Sequence, residues 1–485
     1  MLKKLANNKV INCLVVTYSL FVVFYQTLYL MVPFRQLIAN SGLSWLSPML
    51  AVIGFGLFVW DILFDRIALK MKFCIPLIML ICVMGISSLL TIKYGITSNI
   101  KAIIWQIVQM LVLFPLCNRL STVQWEKLLK KLYWLVSLVF VPAAAVSLFQ
   151  YIFAIRYIAY VDGGKFRQGL YEGRLFGVFY SPHFYSLFMM LLVAWSIYYI
   201  IKSKDKIAYK LLYGCATLFY FLNAALSGTR SIIVGAICAT FVVFFWFGKR
   251  FATKFKSKTV VKYGISALAT VCVAVCIVVS FSVVSSVMPN LIYKTSSGQG
   301  YFDKLMPDEE IDSELITQRD DAELSNSSGN RFTIWKDYLN VTSDSPKSLL
   351  FGNSPGNYMV YIRDNYPDNY IVKYITEEKY PVMYAQKLIY DTHNAYVGAF
   401  ATTGVVGTGI LFVFLALILF RVMRYITKKE SVSFNVYMLF AIWIFILISS
   451  FFESDLFFKC TSTSLIFWIV SGLLVKVTAN QEDKS

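Results

Sequence analysis

DTHNAYVGAFATTGVVGTGILFVFLALILF, residues 391–420, passes from four polar side chains into 26 consecutive residues without a charge. About 20 apolar helical residues cross the roughly 30 Å hydrocarbon core of a bilayer, so the run from Ala395 predicts a membrane span entered from water. The tetrad Asp391-Thr392-His393-Asn394 then lies at the boundary and holds one of only two histidines in 485 residues. Imidazole titrates nearest neutrality of all side chains, which makes His393 a candidate general base for a substrate hydroxyl, with Asp391 or Asn394 to fix its tautomer.

Similar apolar runs recur near 10–32, 46–63, 73–92, 102–117, 133–153, 182–201, 207–225, 230–247, 263–287, 395–420, 433–452 and 460–478. The chain is 58% hydrophobic and 15% charged, with a mean hydropathy of +0.63. Soluble domains use about 25% charged residues, so this composition predicts an all-α, polytopic membrane protein of about twelve helices. Its net charge of +18 could suggest nucleic acid, but the basic residues alternate between loops. Of the 45, 26 fall at the two ends and in every second loop, from Lys3, Lys4 and Lys9 to Lys476 and Lys484. That is an orientation signal: both termini are expected in the cytoplasm, and a nucleic-acid role has no support. The first run follows Lys3 and Lys4 as a signal peptide would, yet it is too long and lacks a cleavage site, so it reads as a retained helix.

One segment interrupts the pattern. Residues 288–393 form a polar insert carrying 16 of the 27 acids, expected outside the cytoplasm between a first block of helices (1–287) and a last one (394–485). Within it, Ser327-Ser328-Gly329-Asn330 reads as a turn and cap before a helix from Arg331 to Val341 with Phe332, Trp335 and Leu339 on one face. Tyrosines crowd the insert, either as an interfacial aromatic belt or as sugar-stacking platforms. The nine cysteines lie in or beside apolar runs and suggest neither a disulfide framework nor a metal site.

Few polar residues on the outer side could carry chemistry. Arg230 sits in a tight turn, Leu226-Ser227-Gly228-Thr229-Arg230-Ser231, and Arg174 and His183 close the loop after the fifth run. With Arg331, the guanidinium groups of Arg230 and Arg174 could hold a diphosphate and supply the charge a metal would otherwise provide. Asp61 reads as interfacial, and Glu453 and Asp455 with Lys459 as a surface pair in a short outer loop. No mid-membrane acidic chain of the kind found in proton-coupled pumps is present.

Asp391-Thr392-His393-Asn394 followed by Thr403-Gly404-Val405-Val406-Gly407 resembles the signature of the O-antigen ligase and polymerase superfamily. Ser328-Gly329-Asn330-Arg331 with Trp335, Leu350-Phe351-Gly352-Asn353, the Arg230 turn and Gly173-Arg174-Leu175-Phe176-Gly177 with Ser181-Pro182 are similar to its other landmarks, in the same order. The resemblance implies a membrane glycosyltransferase of the GT-C type, without metal, nucleotide sugar or other cofactor, in the cytoplasmic (inner) membrane with its active site at the outer leaflet. It implies an undecaprenyl-diphosphate-linked glycan donor, a glycan or lipid acceptor, surrounding membrane lipids, and a chain-length regulator or flippase as further partners. By position, His393 would be the base and Arg230 and Arg331 would neutralise the leaving diphosphate. His183 stands where the family usually has asparagine. Polymerisation of a capsular or other surface polysaccharide is the expected reaction, with a ligase as the alternative and a polysaccharide flippase or exporter as the reading from another class.

Overall fold

The computed structural model describes residues 8–153, 155–161, 164–171, 174–202, 207–253, 259–294, 321–378, 381–429 and 432–479. Lys3, Lys4, Lys484, Gly173 and residues 295–320 of the insert lie outside the described residues. Every one of the twelve apolar runs holds a helix. The first block contains α1 (Asn8–Leu28), α2 (Leu46–Trp60), α3 (Cys74–Leu90), α4 (Ile96–Ile107), α5 (Thr122–Ile152), α6 (Pro182–Lys202), α7 (Ile207–Leu226), α8 (Arg230–Thr253) and α9 (Thr259–Lys294). Among the described residues, seven helical segments are long and apolar enough to cross a membrane, and four shorter apolar helices accompany them. The chain is a multi-pass α-helical membrane protein.

Local chemistry explains several helix ends. Ser121 and Gln124 close a reciprocal capping box at the start of α5. After α4 the chain widens into a π-turn, Val108–Leu113, in which every residue is buried. There Gln109 accepts from Ser464 Oγ and donates to the Lys459 carbonyl at 3.2 Å, tying this segment to the chain around the last helix. Asp61, near the end of its apolar segment, is buried in the protein, ion-paired with Arg119, and accepts from the amides of Ile67 and Ala68. A carboxylate is tolerated there because its charge and its lone pairs are both satisfied.

The loop between α5 and α6 departs from the all-helical expectation. It folds into a three-stranded antiparallel sheet, β1 (Arg156–Val161), β2 (Gly164–Tyr171) and β3 (Arg174–Gly177), with Tyr157 opposite Gln168 and Leu170 opposite Leu175. The Asp162-Gly163 and Glu172-Gly173 pairs between β-prone residues are hairpin signals, masked here by the stronger apolar periodicity on either side.

The insert supplies α10 (Asp321–Ser343), α11 (Pro346–Phe351) and α12 (Tyr358–Asn365), and is followed by α13 (Ala395–Lys428), α14 (Phe434–Ser449) and α15 (Ser462–Val477). The backbone runs as helix through 327–330, where a turn is expected. Poor helix formers cost only fractions of a kcal/mol each, roughly, and flanking turns can carry them. The buried face of α10 is Ile334, Tyr338 and Val341, while Phe332 and Leu339 of the expected face are exposed. Ile334, Tyr338 and Val341 build a second core with Ile362, Ile371, Val372, Ile389 and Ala401, against which Tyr358, Tyr361, Tyr366, Tyr384 and Tyr390 pack. Tyr338 is thus buried in this core, and those five tyrosines are half-buried against it.

Two glycines let the insert sit on α13. Gly404 leaves helical geometry at φ 65°, and a Cβ there would come within 2.5 Å of the Leu350 backbone; one at Gly352 would collide with the backbone of Thr402 and Thr403. Asn353 N donates to Ala401 O at 2.8 Å across this contact.

Candidate active site

His393 sits at the seam between insert and membrane helix, in the left-handed region at φ 45°. Histidine visits that region more readily than most side chains, at a cost that neighbouring contacts must offset. Those contacts flank it on both sides. Trp335 Nε1 donates to Thr392 O at 2.9 Å, Thr392 Oγ1 donates to Asn394 O at 3.0 Å, and Ala395 N donates to Ser450 O at 2.9 Å. Asn394 is the N-cap of α13, its Oδ1 accepting from Tyr396 N and Val397 N.

Neither sequence neighbour orients the imidazole. Asn394 is committed to the cap, and Asp391 accepts from Tyr358 OH at 3.1 Å, Thr392 N at 2.7 Å, Ser454 Oγ at 2.6 Å and Lys459 Nζ. The partner of His393 is Glu453, from the loop between α14 and α15, with Nδ1 to Oε2 at 3.1 Å. Glu453, Asp455 and Lys459 are therefore half-buried groups tied to His393 and Asp391, with Lys459 Nζ also 3.6 Å from Asp455 Oδ1. Sequence offered a faint sign of this: three charged residues in a short loop between two apolar helices, where orientation requires none.

The electrostatics are coupled. Burial opposes ionisation of Glu453, but the imidazole of His393, with His183 and Arg331, overcomes it and holds the carboxyl at about 2. Burial likewise disfavours the His393 cation; the Glu453 carboxylate and then Asp391 outweigh that and raise the ring above its ordinary 6.5. Asp391 also resists burial, because Lys459 and His393 keep it below the carboxylate range. Asp455 goes the other way: burial dominates and pushes it up to about 6, with Tyr180 OH 3.2 Å away. An ionised Glu453 can only accept, so Nδ1 carries the proton and the neutral ring presents a lone pair at Nε2. That nitrogen has no hydrogen-bond partner among the described residues, and the side chain is 27% exposed. It is free to meet a substrate.

Around this pair lie cations. The Arg331 guanidinium, with no hydrogen bond or ion pair among the described residues, is near enough to act on His393, Glu453 and His183. Arg174, at the start of β3, acts on His183 and braces the 227–229 turn, its Nε donating to Ser227 O at 3.0 Å and a terminal nitrogen to Thr229 Oγ1 at 3.4 Å. Gly228, at φ 61°, closes that turn against the Arg174 side chain. Arg230 leaves the turn as the exposed first residue of α8, with no hydrogen bond or ion pair among the described residues; nor does any such contact join it to His393. His183 is buried near the start of α6, with Nδ1 3.0 Å from Ser231 Oγ. The structure thus groups His393, Asp391, Asn394, Arg331, His183 and Arg174, and sets Arg230 on the adjoining turn.

Residues 215–412, from α7 to the kinked first half of α13, match the family model described as O-antigen ligase. The chain carries an O-antigen ligase domain. In that segment the chain is similar to the O-antigen ligase family, and the segment includes Arg230, Arg331, Asp391, His393 and Asn394, while Arg174, His183 and Glu453 lie on either side of it. No curated protein matches the chain.

Proposed function

We propose that the protein is a GT-C-type glycosyltransferase of the cytoplasmic membrane that moves a glycan from undecaprenyl diphosphate to a sugar hydroxyl at the outer leaflet, polymerising a capsular or other surface polysaccharide. The carrying observation is His393, with an acceptor-only carboxylate on Nδ1, no described partner on Nε2 and the Arg331 guanidinium nearby. In this reading Nε2 takes the proton of the acceptor hydroxyl as its oxygen attacks the anomeric carbon. The bond from that carbon to the diphosphate breaks, and its electron pair leaves with the lipid diphosphate. Such a leaving group needs charge neutralisation more than protonation, and guanidinium forks match phosphate oxygens. Arg331 and Arg230 serve that role, with Arg174 adding charge and holding the turn. Asp391 and Asn394 fix the backbone frame of the base, and Glu453 fixes its ring.

Polymerase and ligase differ in acceptor. Purified protein in proteoliposomes, supplied only with the undecaprenyl-diphosphate-linked repeat unit of its own cell, is expected to yield a ladder of longer lipid-linked chains. Product that forms only after a separate lipid or wall acceptor is added would contradict the polymerase reading and support a ligase.

A further inference from the structure

The aromatic residues best placed to meet a glycan are not the tyrosines of the insert but Phe332 and Trp335 on α10. Phe332 is 65% exposed, although its neighbours on the other face, Ile334 and Tyr338, are buried in the second core. Its ring packs edge to face with Trp335 at a centroid separation of 5.2 Å. Trp335 is fixed in turn, donating to the carbonyl of Thr392, the residue before His393. The pair therefore begins one residue from Arg331 and runs without a break to the base.

From this continuity we propose that Phe332 and Trp335 form a carbohydrate-stacking subsite that takes a pyranose ring of the glycan next to the reacting sugar. This rests on the transferase reading of His393 and Arg331. Sugar rings present apolar C–H faces bounded by hydroxyls, and an aromatic ring flanked by polar groups suits them. Thr333, Lys336 and Asn340, exposed beside Phe332 on α10, are of that kind and border the apolar stripe that Phe332 shares with the exposed Leu339. A face for a lipid tail would carry apolar residues in those places. The immobilised Trp335 supplies the second wall, so little side-chain freedom is lost on binding.

The test separates binding from catalysis. Oligosaccharides of one to several repeat units, obtained by partial hydrolysis of the surface polysaccharide of the cells that make this protein, are titrated by saturation-transfer NMR against the His393→Ala protein in nanodiscs. Phe332→Ala in that background should weaken binding roughly three- to tenfold, an aromatic contact's worth. Phe332→Tyr should restore it and Phe332→Leu should not. In the active protein, Phe332→Ala should raise the KM for donor or acceptor glycan with little change in kcat. Unchanged binding in the alanine variant overturns the subsite. So does full rescue by leucine together with sensitivity to polyprenyl length, which would assign the face to lipid. Because the titration needs no turnover, it still reads the subsite if His393 proves not to be the base.

Discussion

A histidine that rests on a buried carboxylate gains basicity and, for the same reason, keeps its proton to higher pH. As the proposed base, His393 would act only when neutral, so kcat/KM should rise with pH through a limb above the ordinary imidazole value of 6.5. In Glu453→Gln the acceptor remains but the charge is gone. Burial then pulls the ring down, the limb should move to lower pH, and the plateau rate should fall roughly 10- to 100-fold. A limb that stays in place would show that Glu453 does not tune the base. Stability follows the opposite sign for the acid: Glu453, held at about 2, contributes fully above its ordinary 4.5 and loses that contribution as pH falls toward 2. The candidacy of His393 is legible in sequence, since a lone histidine where a polar insert meets a charge-free run is conspicuous. Its true partner is not, because Glu453 is 60 residues away and reaches the ring only once α13, α14 and α15 have packed.

Between elements, the decisive contact is backbone against backbone. The α11–Gly352 segment lies on the kink of α13, and both Gly352 and Gly404 adopt positive φ. Gly404→Ala would add a left-handed strain and a clash with Leu350, so the protein should lose about 2 kcal/mol or more of stability at this contact. The measurement is the rate of limited proteolysis within the insert of the reconstituted protein, which should rise at least tenfold; cleavage at the wild-type rate would contradict this account. The glycine-rich Thr403–Gly407 patch is readable as a close-packing site, but its partner is not a neighbouring membrane helix alone. It receives the insert. The twelve helical runs are legible because a bilayer demands long charge-free stretches, and nothing equally strong marks the small sheet at 156–177 or the buried face of α10. There, tertiary packing decides which of two apolar stripes turns inward.

For the whole molecule, the alternation of basic loops carries the expectation that the insert and Glu453 share the outer face while Lys70 and the termini face the cytoplasm. In right-side-out spheroplasts of cells making a cysteine-free version, Asp368→Cys, at a side chain 92% exposed, should react with a membrane-impermeant maleimide. Lys70→Cys should react only after permeabilisation, and the reverse order would invert the topology. In the proposed mechanism a base on the insert's seam, free at Nε2, acts on a lipid-diphosphate glycan at that face. Its most direct test is single-turnover transfer by purified protein in proteoliposomes, comparing wild type with His393→Ala at equal amounts of inserted protein. Loss of roughly 10²- to 10⁴-fold in the transfer rate, with donor binding retained, is the expected result. Transfer at the wild-type rate by His393→Ala would contradict the account.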